Sequence, residues 1–188
     1  MSKEYTALGL MSGTSGDGVD ASIIKSDGQN KYNIILDKYF EYDSDIYKNI
    51  YKLKEKINNL KDLKILSKEI IDLEKKITLF HEKVFTDLSH EKLDLLGFHG
   101  QTIFHNAEEK ISKQLGDGKL LSKLTKKNVV YNFRENDLKN NGEGAPLAPI
   151  FHKLITEQNK INLPVAILNL GGIANITSID NKNDMYSS

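Results

Sequence analysis

Residues 8–24 read LGLMSGTSGDGVDASII, in which two apolar runs flank a short polar segment with three glycines. Apolar runs of this length that are bounded by Gly, Ser and Asp are typical of two strands joined by a tight turn. Because glycine adopts backbone angles that are closed to other residues, we expect Gly13 and Gly18 to let the chain curl. The N–H groups of residues 13–16 then surround an anion such as a phosphate. An ordinary polar hairpin loop explains the composition equally well.

Two carboxylates, Asp17 and Asp20, lie within this segment. Oxygen ligands of this kind suit a magnesium ion that bridges phosphate oxygens through its bound waters. A zinc site is not predicted, because no pair of the five histidines has HxH or HExxH spacing and the chain has no cysteine. The absence of cysteine also excludes a disulfide framework.

A second glycine hairpin is predicted at residues 166–179, which read AILNLGGIANITSI. An apolar run precedes a turn at Gly171 and Gly172, and a second strand-like run contains Asn175. The two hairpins share the order of strand, small-residue turn and strand, but not their residue identities. Such a repeat, more than a hundred residues apart, predicts two similar lobes with a nucleotide held between them.

Composition argues against nucleic-acid and membrane partners. The 188 residues include 26 Lys and Arg and 26 Asp and Glu, so no net field attracts an anionic polymer or surface. The first residues lack the pattern of a secretory signal. No apolar stretch reaches the roughly 18 to 20 residues that a membrane span needs. We therefore expect a soluble, cytoplasmic protein.

The middle of the chain alternates between helices and strands. After a third strand at residues 32–42, residues 44–89 hold almost only helix-compatible residues, and Ile and Leu recur at spacings of three and four. This period predicts two amphipathic helices that break near Asn58 and Asn59. The further predictions are a strand at 92–97, a helix that opens at 114–118 and runs to about 125, a strand at 128–133 and a helix that begins near Pro149.

The order of these elements indicates the fold class. Three consecutive hairpin strands followed by alternating helix and strand are the order of the ribonuclease-H-like lobe of actin-like, sugar-kinase and Hsp70-type ATPases. We therefore predict an α/β protein with a mixed five-stranded sheet and helices in a first lobe at residues 1–160. The polar segment 159–163 before Pro164 is the predicted boundary, and residues 161–188 open a second, similar lobe.

Polar groups follow two of the predicted strands, at the edge where open α/β sheets carry ligands. His99, Gln101 and Thr102 are suited to exchange hydrogen bonds with a sugar hydroxyl, and the alternative for His99 is a histidine satisfied by backbone groups. Arg134 and Asp137 lie beyond the next strand, where an arginine can clamp a carboxylate through two hydrogen bonds. A surface ion pair is the equal alternative for these two residues.

Four segments of the chain read GLMSGTSGDGVD (9–20), GFHGQTIFH (97–105), NFRENDLKNNGEGAPLAPIFH (132–152) and LNLGGIANIT (168–177). In the same order and at fitting separations, they resemble the anhydro-N-acetylmuramic acid kinase family. The resemblance covers nearly the whole chain. It implies an ATP-dependent enzyme of bacterial cell-wall recycling. Such an enzyme opens the 1,6-anhydro ring of anhydro-N-acetylmuramic acid with water and phosphorylates the freed 6-hydroxyl, giving N-acetylmuramic acid 6-phosphate.

The resemblance also implies sites for ATP, Mg²⁺ and the anhydro-sugar. The turn that holds ATP phosphate in the family corresponds to Gly13, Thr14, Ser15, Gly16, Asp17, Gly18, Val19 and Asp20. The sugar cleft corresponds to His99, Gln101, Thr102, Arg134 and Asp137. The glycine turn of the second lobe corresponds to Gly171, Gly172 and Asn175. Mg²⁺ is expected beside Asp17 and Asp20.

The chain departs from the family pattern at Gly16, where the family usually has a bulky apolar residue, at Glu143, where it usually has Gln, and at two places that bear on the chemistry. Asn132 stands where the family commonly has Asp before Phe-Arg, so the role of that carboxylate is not carried over. The next family motif, of DTGPGN type and carrying the catalytic base, is expected just after Ser188. We therefore expect an amino-terminal half that does not turn over substrate alone, and whose second hairpin packs in a homodimer, on the first lobe or on the other half. The alternative is a non-catalytic nucleotide- or sugar-binding remnant that acts as an interaction module.

Overall fold

The computed structural model of the chain describes residues 3–88, 92–171 and 174–187. Within these ranges the strands are β1 (Tyr5–Ser12), β2 (Gly18–Ser26), β3 (Tyr32–Glu41), β4 (Leu95–Asn106), β5 (Ile111–Leu115), β6 (Asn128–Tyr131), β7 (Val165–Asn169), β8 (Asn175–Ile179) and β9 (Met185–Ser187). The helices are α1 (Ser44–Lys56), α2 (Leu60–Ile65), α3 (Ser67–Leu88), α4 (Gly118–Thr125), α5 (Phe133–Lys139) and α6 (Pro149–Gln158).

Six of these strands form one mixed sheet, in which β1 lies between β2 and β4. β1 pairs antiparallel with β2, which pairs with β3, and it pairs in parallel with β4. The other edge of β4 is shared, because β6 pairs in parallel with its first half and β5 antiparallel with its second half. This mixed α/β sheet confirms the predicted fold class and is consistent with a lobe of an actin-like ATPase.

The sheet has six strands where we predicted five, because β5 was not foreseen. The sequence of β5, ISKQL, shows no alternation of apolar and polar residues, and we assigned its last two residues to the start of a helix. Pairing with the second half of β4 supplies the hydrogen bonds that hold this segment extended. The helix α4 begins only at Gly118, where the Asp117 side chain accepts hydrogen bonds from the first free N–H groups.

One face of the sheet packs against α1 and α3 to form the core. Alternate residues of β1 and β2 point to this face, and every third or fourth residue of the two helices meets them. The buried set includes Leu8, Leu10, Val19, Ala21, Ile23, Ile46, Ile50, Leu53, Ile70, Leu73, Ile77 and Val84. Burial of each large aliphatic side chain stabilises the fold by about 1.5 to 3 kcal/mol, so the apolar period fixes both helices on the sheet.

The helical segment breaks at the predicted place and at one further place. Asn59 caps α2 and forms a capping box with Asp62, so the chain stops and restarts there. We predicted two helices and the structure has three, because α2 stops again at Leu66 after six residues. Leu66 keeps the apolar spacing, which is why the period did not indicate this break. Of the helices in the described ranges, none combines the length and the apolar character needed to cross a membrane.

A second sheet is three-stranded and antiparallel, with the order β7-β8-β9. β7 and β8 confirm the predicted hairpin, whereas β9 was not predicted. α6 contacts this sheet, and His152 Nδ1 lies 2.8 Å from the Thr177 hydroxyl. The same helix reaches the first sheet, where the Gln158 side-chain amide exchanges two hydrogen bonds with the main chain of Tyr32. The domain division at residue 160 stays a prediction.

Candidate functional site

The chain turns between β1 and β2 within residues 13–17. Its tightest point is Gly16, which has a φ of +67° and whose N–H donates to the Gly13 carbonyl at 3.1 Å. We expected Gly13 and Gly18 to use backbone angles that are closed to other residues, but neither has a positive φ. Gly18 is required for space instead, since a Cβ there would lie 2.4 Å from the Phe40 carbonyl oxygen.

The main-chain carbonyls of the turn are held from outside it. Those of residues 13, 14, 15 and 17 each accept a hydrogen bond of 2.7 or 2.8 Å. The donors are, in that order, the side chains of Gln101, Lys54 and Tyr51 and the main-chain N–H of Tyr42. The N–H groups of Thr14, Ser15 and Asp17 have no hydrogen-bond partner among the residues that the structure describes. Free, neighbouring N–H groups of this kind bind anions such as phosphate.

The two predicted magnesium ligands, Asp17 and Asp20, lie near Tyr39. The Ser15 hydroxyl donates to the Asp17 carboxylate at 2.5 Å. Burial raises the pKa of Tyr39, and the negative charges of Asp17, Glu41 and Asp20 raise it further. Within the described ranges, no three acidic or histidine side chains come together as ligands for a metal ion. Two exposed carboxylates beside a turn with free N–H groups fit a cation that keeps its water shell, so Mg²⁺ stays a prediction with suitable donors.

A buried hydrogen-bond chain lies beneath the turn and was not predicted. The hydroxyl of Ser12, the last residue of β1, lies 2.8 Å from the Tyr42 hydroxyl and 3.1 Å from His81 Nε2. His81 Nδ1 lies 2.8 Å from the Ile77 carbonyl, which can only accept, so Nδ1 carries the proton. Nε2 therefore accepts from Ser12, and Ser12 accepts from Tyr42.

This chain of side chains is uncharged. His81 is fully buried, and burial lowers its pKa to about 4. Burial also raises the pKa of Tyr42. The end of β1 therefore rests on neutral, fixed groups. The burial of His81 could have been predicted from the sequence, because His81 continues the apolar spacing of Ile77 and Val84 along α3.

We predicted that residues 98–102 form a turn after a strand, and this is wrong. β4 continues through them, because β1 pairs with it on one side and β5 on the other. Gln101 is fully buried, and its Nε2 donates to the Gly13 carbonyl at 2.8 Å. Its Oε1 is an acceptor without a partner in the described part of the chain. Thr102 Oγ1 accepts from the Gln114 amide at 3.3 Å. Gln101 and Thr102, two of the five predicted sugar ligands, therefore contact protein groups.

The structure brings His99, Arg134 and Asp137 into one cluster. The Arg134 guanidinium donates to His99 Nε2 and to the Gly144 carbonyl, each at 2.9 Å. His99 Nδ1 donates to the Gly100 carbonyl at 2.7 Å, which fixes the neutral tautomer that leaves Nε2 free to accept. Asp137 accepts from the Gly144 N–H at 2.7 Å and thereby holds the loop that binds Arg134.

The charge on Arg134 is not paired with a carboxylate among the described residues. Burial lowers the pKa of this guanidinium, and burial together with its charge lowers the pKa of His99. A half-buried, unpaired guanidinium suits an anionic ligand group. Arg134 lies on α5, which we did not predict as a helix because its seven residues are too few to show a period.

A cavity of about 410 Å³ adjoins this cluster, between β4, β5 and α5, and its volume lies in the range of small-molecule sites. Its lining includes His99, Asn132, Glu135, Lys110, Lys113 and Lys139. Asn132 has a φ of +59°, which asparagine tolerates better than most residues, and its amide donates to the Glu135 carboxylate. An aspartate at this position would instead face Glu135 with the same charge.

The predicted turn of the second lobe is described only in part. Gly172 lies outside the described residues. Gly171 is exposed, and Asn175 begins β8 opposite Asn169. The Oδ1 atom of Asn175 is a second buried acceptor that has no partner in the part of the chain that the structure describes. Gln101 and Asn175 thus each present an acceptor that a ligand or water can satisfy.

Comparison with known proteins places the chain in a family. The family model described as anhydro-N-acetylmuramic acid kinase matches residues 5–187. The chain belongs to the anhydro-N-acetylmuramic acid kinase family. This assignment confirms the resemblance that the four sequence segments indicate.

Curated members of the family align with nearly the whole chain. The anhydro-N-acetylmuramic acid kinase of Pelagibacter ubique is 63% identical over 98% of this chain and 50% of the relative. The kinase of Gluconobacter oxydans is 40% identical over 91% of this chain and 47% of the relative. That of Agrobacterium fabrum is 34% identical over 95% of this chain and 50% of the relative. The chain spans about half the length of the curated relatives that it matches.

Proposed function

We propose that this chain holds the ATP phosphates and part of the sugar in a kinase that opens 1,6-anhydro-N-acetylmuramic acid with water. The same kinase phosphorylates O6 to give N-acetylmuramic acid 6-phosphate, in the cytoplasm, where ATP is available. One observation carries the proposal, namely that the turn after β1 leaves the N–H groups of Thr14, Ser15 and Asp17 free while its carbonyls are held. Membership of the family supports it.

The phosphate side of the reaction depends on positioning and charge neutralisation. The free N–H groups of the turn donate to phosphate oxygens, and the Lys54 ammonium lies 2.7 Å from the Thr14 carbonyl beside them. Asp17 and Asp20 would hold Mg²⁺ through its water shell, and the ion would supply positive charge that balances the phosphoryl group.

The sugar side is assigned to His99, Arg134 and the adjoining cavity. N-acetylmuramic acid carries a carboxylate, for which a guanidinium is a strong partner. Arg134 uses its Nε, Nη1 and Nη2 atoms once each, so two of its five N–H groups remain for a ligand. Gln101 and Asp137 support the site, since they hold the glycine turn and the loop at Gly144.

Amide NMR of the ¹⁵N-labelled 188-residue chain tests both sides of the proposal. ATP with Mg²⁺ is expected to shift the resonances of residues 13–18, and the anhydro-sugar those around His99 and Arg134. Gly18→Ala is expected to remove only the response to ATP, because a Cβ there meets the Phe40 carbonyl.

The matched control is Gly9→Ala in β1, where a Cβ would meet nothing closer than 3.8 Å. Arg134→Met is expected to remove only the response to the sugar. If the folded wild-type chain responds to neither compound, the proposal is wrong and an interaction module becomes the better explanation.

A further inference from the structure

We propose that Lys54 and Tyr51 of α1, together with Gln101 of β4, are positioning residues that set the phosphate-binding face of the glycine turn, and that Lys54 also supplies its positive charge. The inference rests on the proposed function, because it concerns the same turn. It gives α1, which the sequence indicates only as a helix with a solvated outer face, a part in binding.

Peptide geometry links the held carbonyls to the free N–H groups. In a trans peptide the C=O and the following N–H point in opposite directions. The Gly13 carbonyl shares its peptide with the N–H of Thr14, and the Thr14 carbonyl shares its peptide with the N–H of Ser15. Gln101 and Lys54 hold these two carbonyls at 2.8 and 2.7 Å. Both N–H groups therefore point away from α1 and β4, toward the open side of the turn.

The helix that carries the two donors is firmly fixed to the fold. Tyr51 and Lys54 are three residues apart, so they share one side of α1. Ile50 and Leu53 bury the neighbouring side of the helix in the core. Helix and turn are in close contact, because a Cβ at Gly16 would lie 3.0 Å from Ile50 Cγ2. The turn therefore takes its orientation from a rigid element.

Lys54 differs from the lysines that form ion pairs. Lys25, Lys56, Lys76, Lys113 and Lys139 each lie within 3 Å of a carboxylate. Lys54 contacts a carbonyl instead, with no carboxylate partner among the described residues, and burial lowers its pKa. A partly buried, unpaired ammonium costs free energy unless an anion compensates it. Its hydrogen bond to the Thr14 carbonyl keeps the ammonium beside the turn, so its charge attracts a phosphate that is bound by the free N–H groups on the other side of the peptide.

Affinity for inorganic triphosphate separates the positioning of the turn from the contribution of the Lys54 charge. Tyr51→Phe removes one hydroxyl and keeps the ring contact with Tyr47, so we expect about three- to tenfold weaker binding with unchanged salt dependence. Lys54→Met keeps the aliphatic stem and removes the charge, so we expect about tenfold or greater weakening and a flatter salt dependence. Lys54→Arg, which keeps the charge, is expected to keep most of the wild-type affinity. Lys52→Met, an exposed lysine of the same helix, is the matched control and is expected to bind as the wild type does.

The orientation of the turn is measured without any ligand. In Lys54→Met the amide resonances of Thr14 and Ser15 are expected to shift and broaden, and in Tyr51→Phe those of Ser15 and Gly16, because Tyr51 holds the carbonyl of the Ser15–Gly16 peptide. The resonances of β2 are expected to stay in place. Wild-type resonances for residues 14–16 in both variants would overturn the proposal, as would wild-type affinity for triphosphate in both. If the wild-type chain itself does not bind triphosphate, the proposed function fails, and the ligand-free resonances still decide whether α1 positions the turn. If Lys54→Met does not fold, Lys54→Gln, which also removes the charge, replaces it with the same expected results, and Tyr51→Phe alone decides whether α1 positions the turn.

Discussion

Replacing His81 by glutamine is expected to make the fold less sensitive to acid. His81 is fully buried, and it contacts the Ser12 hydroxyl, the Ile77 carbonyl and the ring of Phe98. None of these groups offers a negative charge to an imidazolium. Burial is the main reason that the pKa of His81 falls to about 4, and the nearby His99 lowers it further.

The size of the effect follows from linkage. An unfolded histidine titrates near pH 6.5, whereas His81 titrates near 4 in the folded state. Between these values the unfolded state binds more protons, so the free energy of unfolding falls as the pH falls. At about 1.4 kcal/mol for each pKa unit, the loss from about pH 7.5 to about pH 5 is about 2 kcal/mol, and the full loss below pH 4 is roughly 3 kcal/mol.

Urea unfolding followed by far-UV circular dichroism at several pH values between these limits measures this loss. His99 and His105 also have lowered pKa values, so the wild-type protein loses more than the share of His81. The difference between the wild type and His81→Gln in the loss of unfolding free energy gives the contribution of His81. Tyr42→Phe, which removes the hydroxyl that contacts Ser12 but leaves the histidine, is the control and is expected to keep the wild-type pH dependence. An equal loss in wild type and His81→Gln would refute the reasoning.

Three further predictions concern the helices and Asn132. Asn59→Ala removes the capping box of α2 and is expected to lower the free energy of unfolding by about 1 kcal/mol in urea. Ile77→Ala leaves a cavity in the core and is expected to lower it by about 2 to 5 kcal/mol in the same assay. Asn132→Asp replaces a donor to Glu135 by a like charge and is expected to raise the pKa of the Glu135 carboxyl, measured by NMR titration. Asn58→Ala and the exposed Ile65→Ala are the controls for the first two, and equal losses in variant and control would contradict them. A Glu135 pKa that is unchanged in Asn132→Asp would contradict the third.

The sequence predicted the parts of the fold that depend on local signals. The turn between β1 and β2 follows from Gly, Ser and Asp between apolar runs, and α1 and α3 follow from the spacing of Ile and Leu. β5, β9 and α5 were missed because each is short and depends on distant residues. β5 is held by pairing with β4, and α5 by contacts of Arg134 and Asp137 with the Gly144 region.

The contacts that the predicted site residues make were not evident from the sequence. His99 lies within β4 and Arg134 follows the neighbouring strand β6, and the structure places them in contact. Gln101 looked like a sugar ligand, but the pairing of β5 with β4 buries it against the glycine turn, and no local pattern encodes such a pairing. Tyr51 and Lys54 lie on the polar side of α1, where sequence alone does not distinguish a solvated lysine from one that binds a carbonyl.

The most direct test of the kinase assignment is product formation by a chimera. This chain is joined to the remaining half of the Pelagibacter ubique relative, with which it shares 63% identity. Mass spectrometry then follows the ATP-dependent conversion of 1,6-anhydro-N-acetylmuramic acid to N-acetylmuramic acid 6-phosphate. We predict product from the chimera and none from its Gly18→Ala variant. A folded chimera that binds ATP and the anhydro-sugar but forms no product would contradict the assignment.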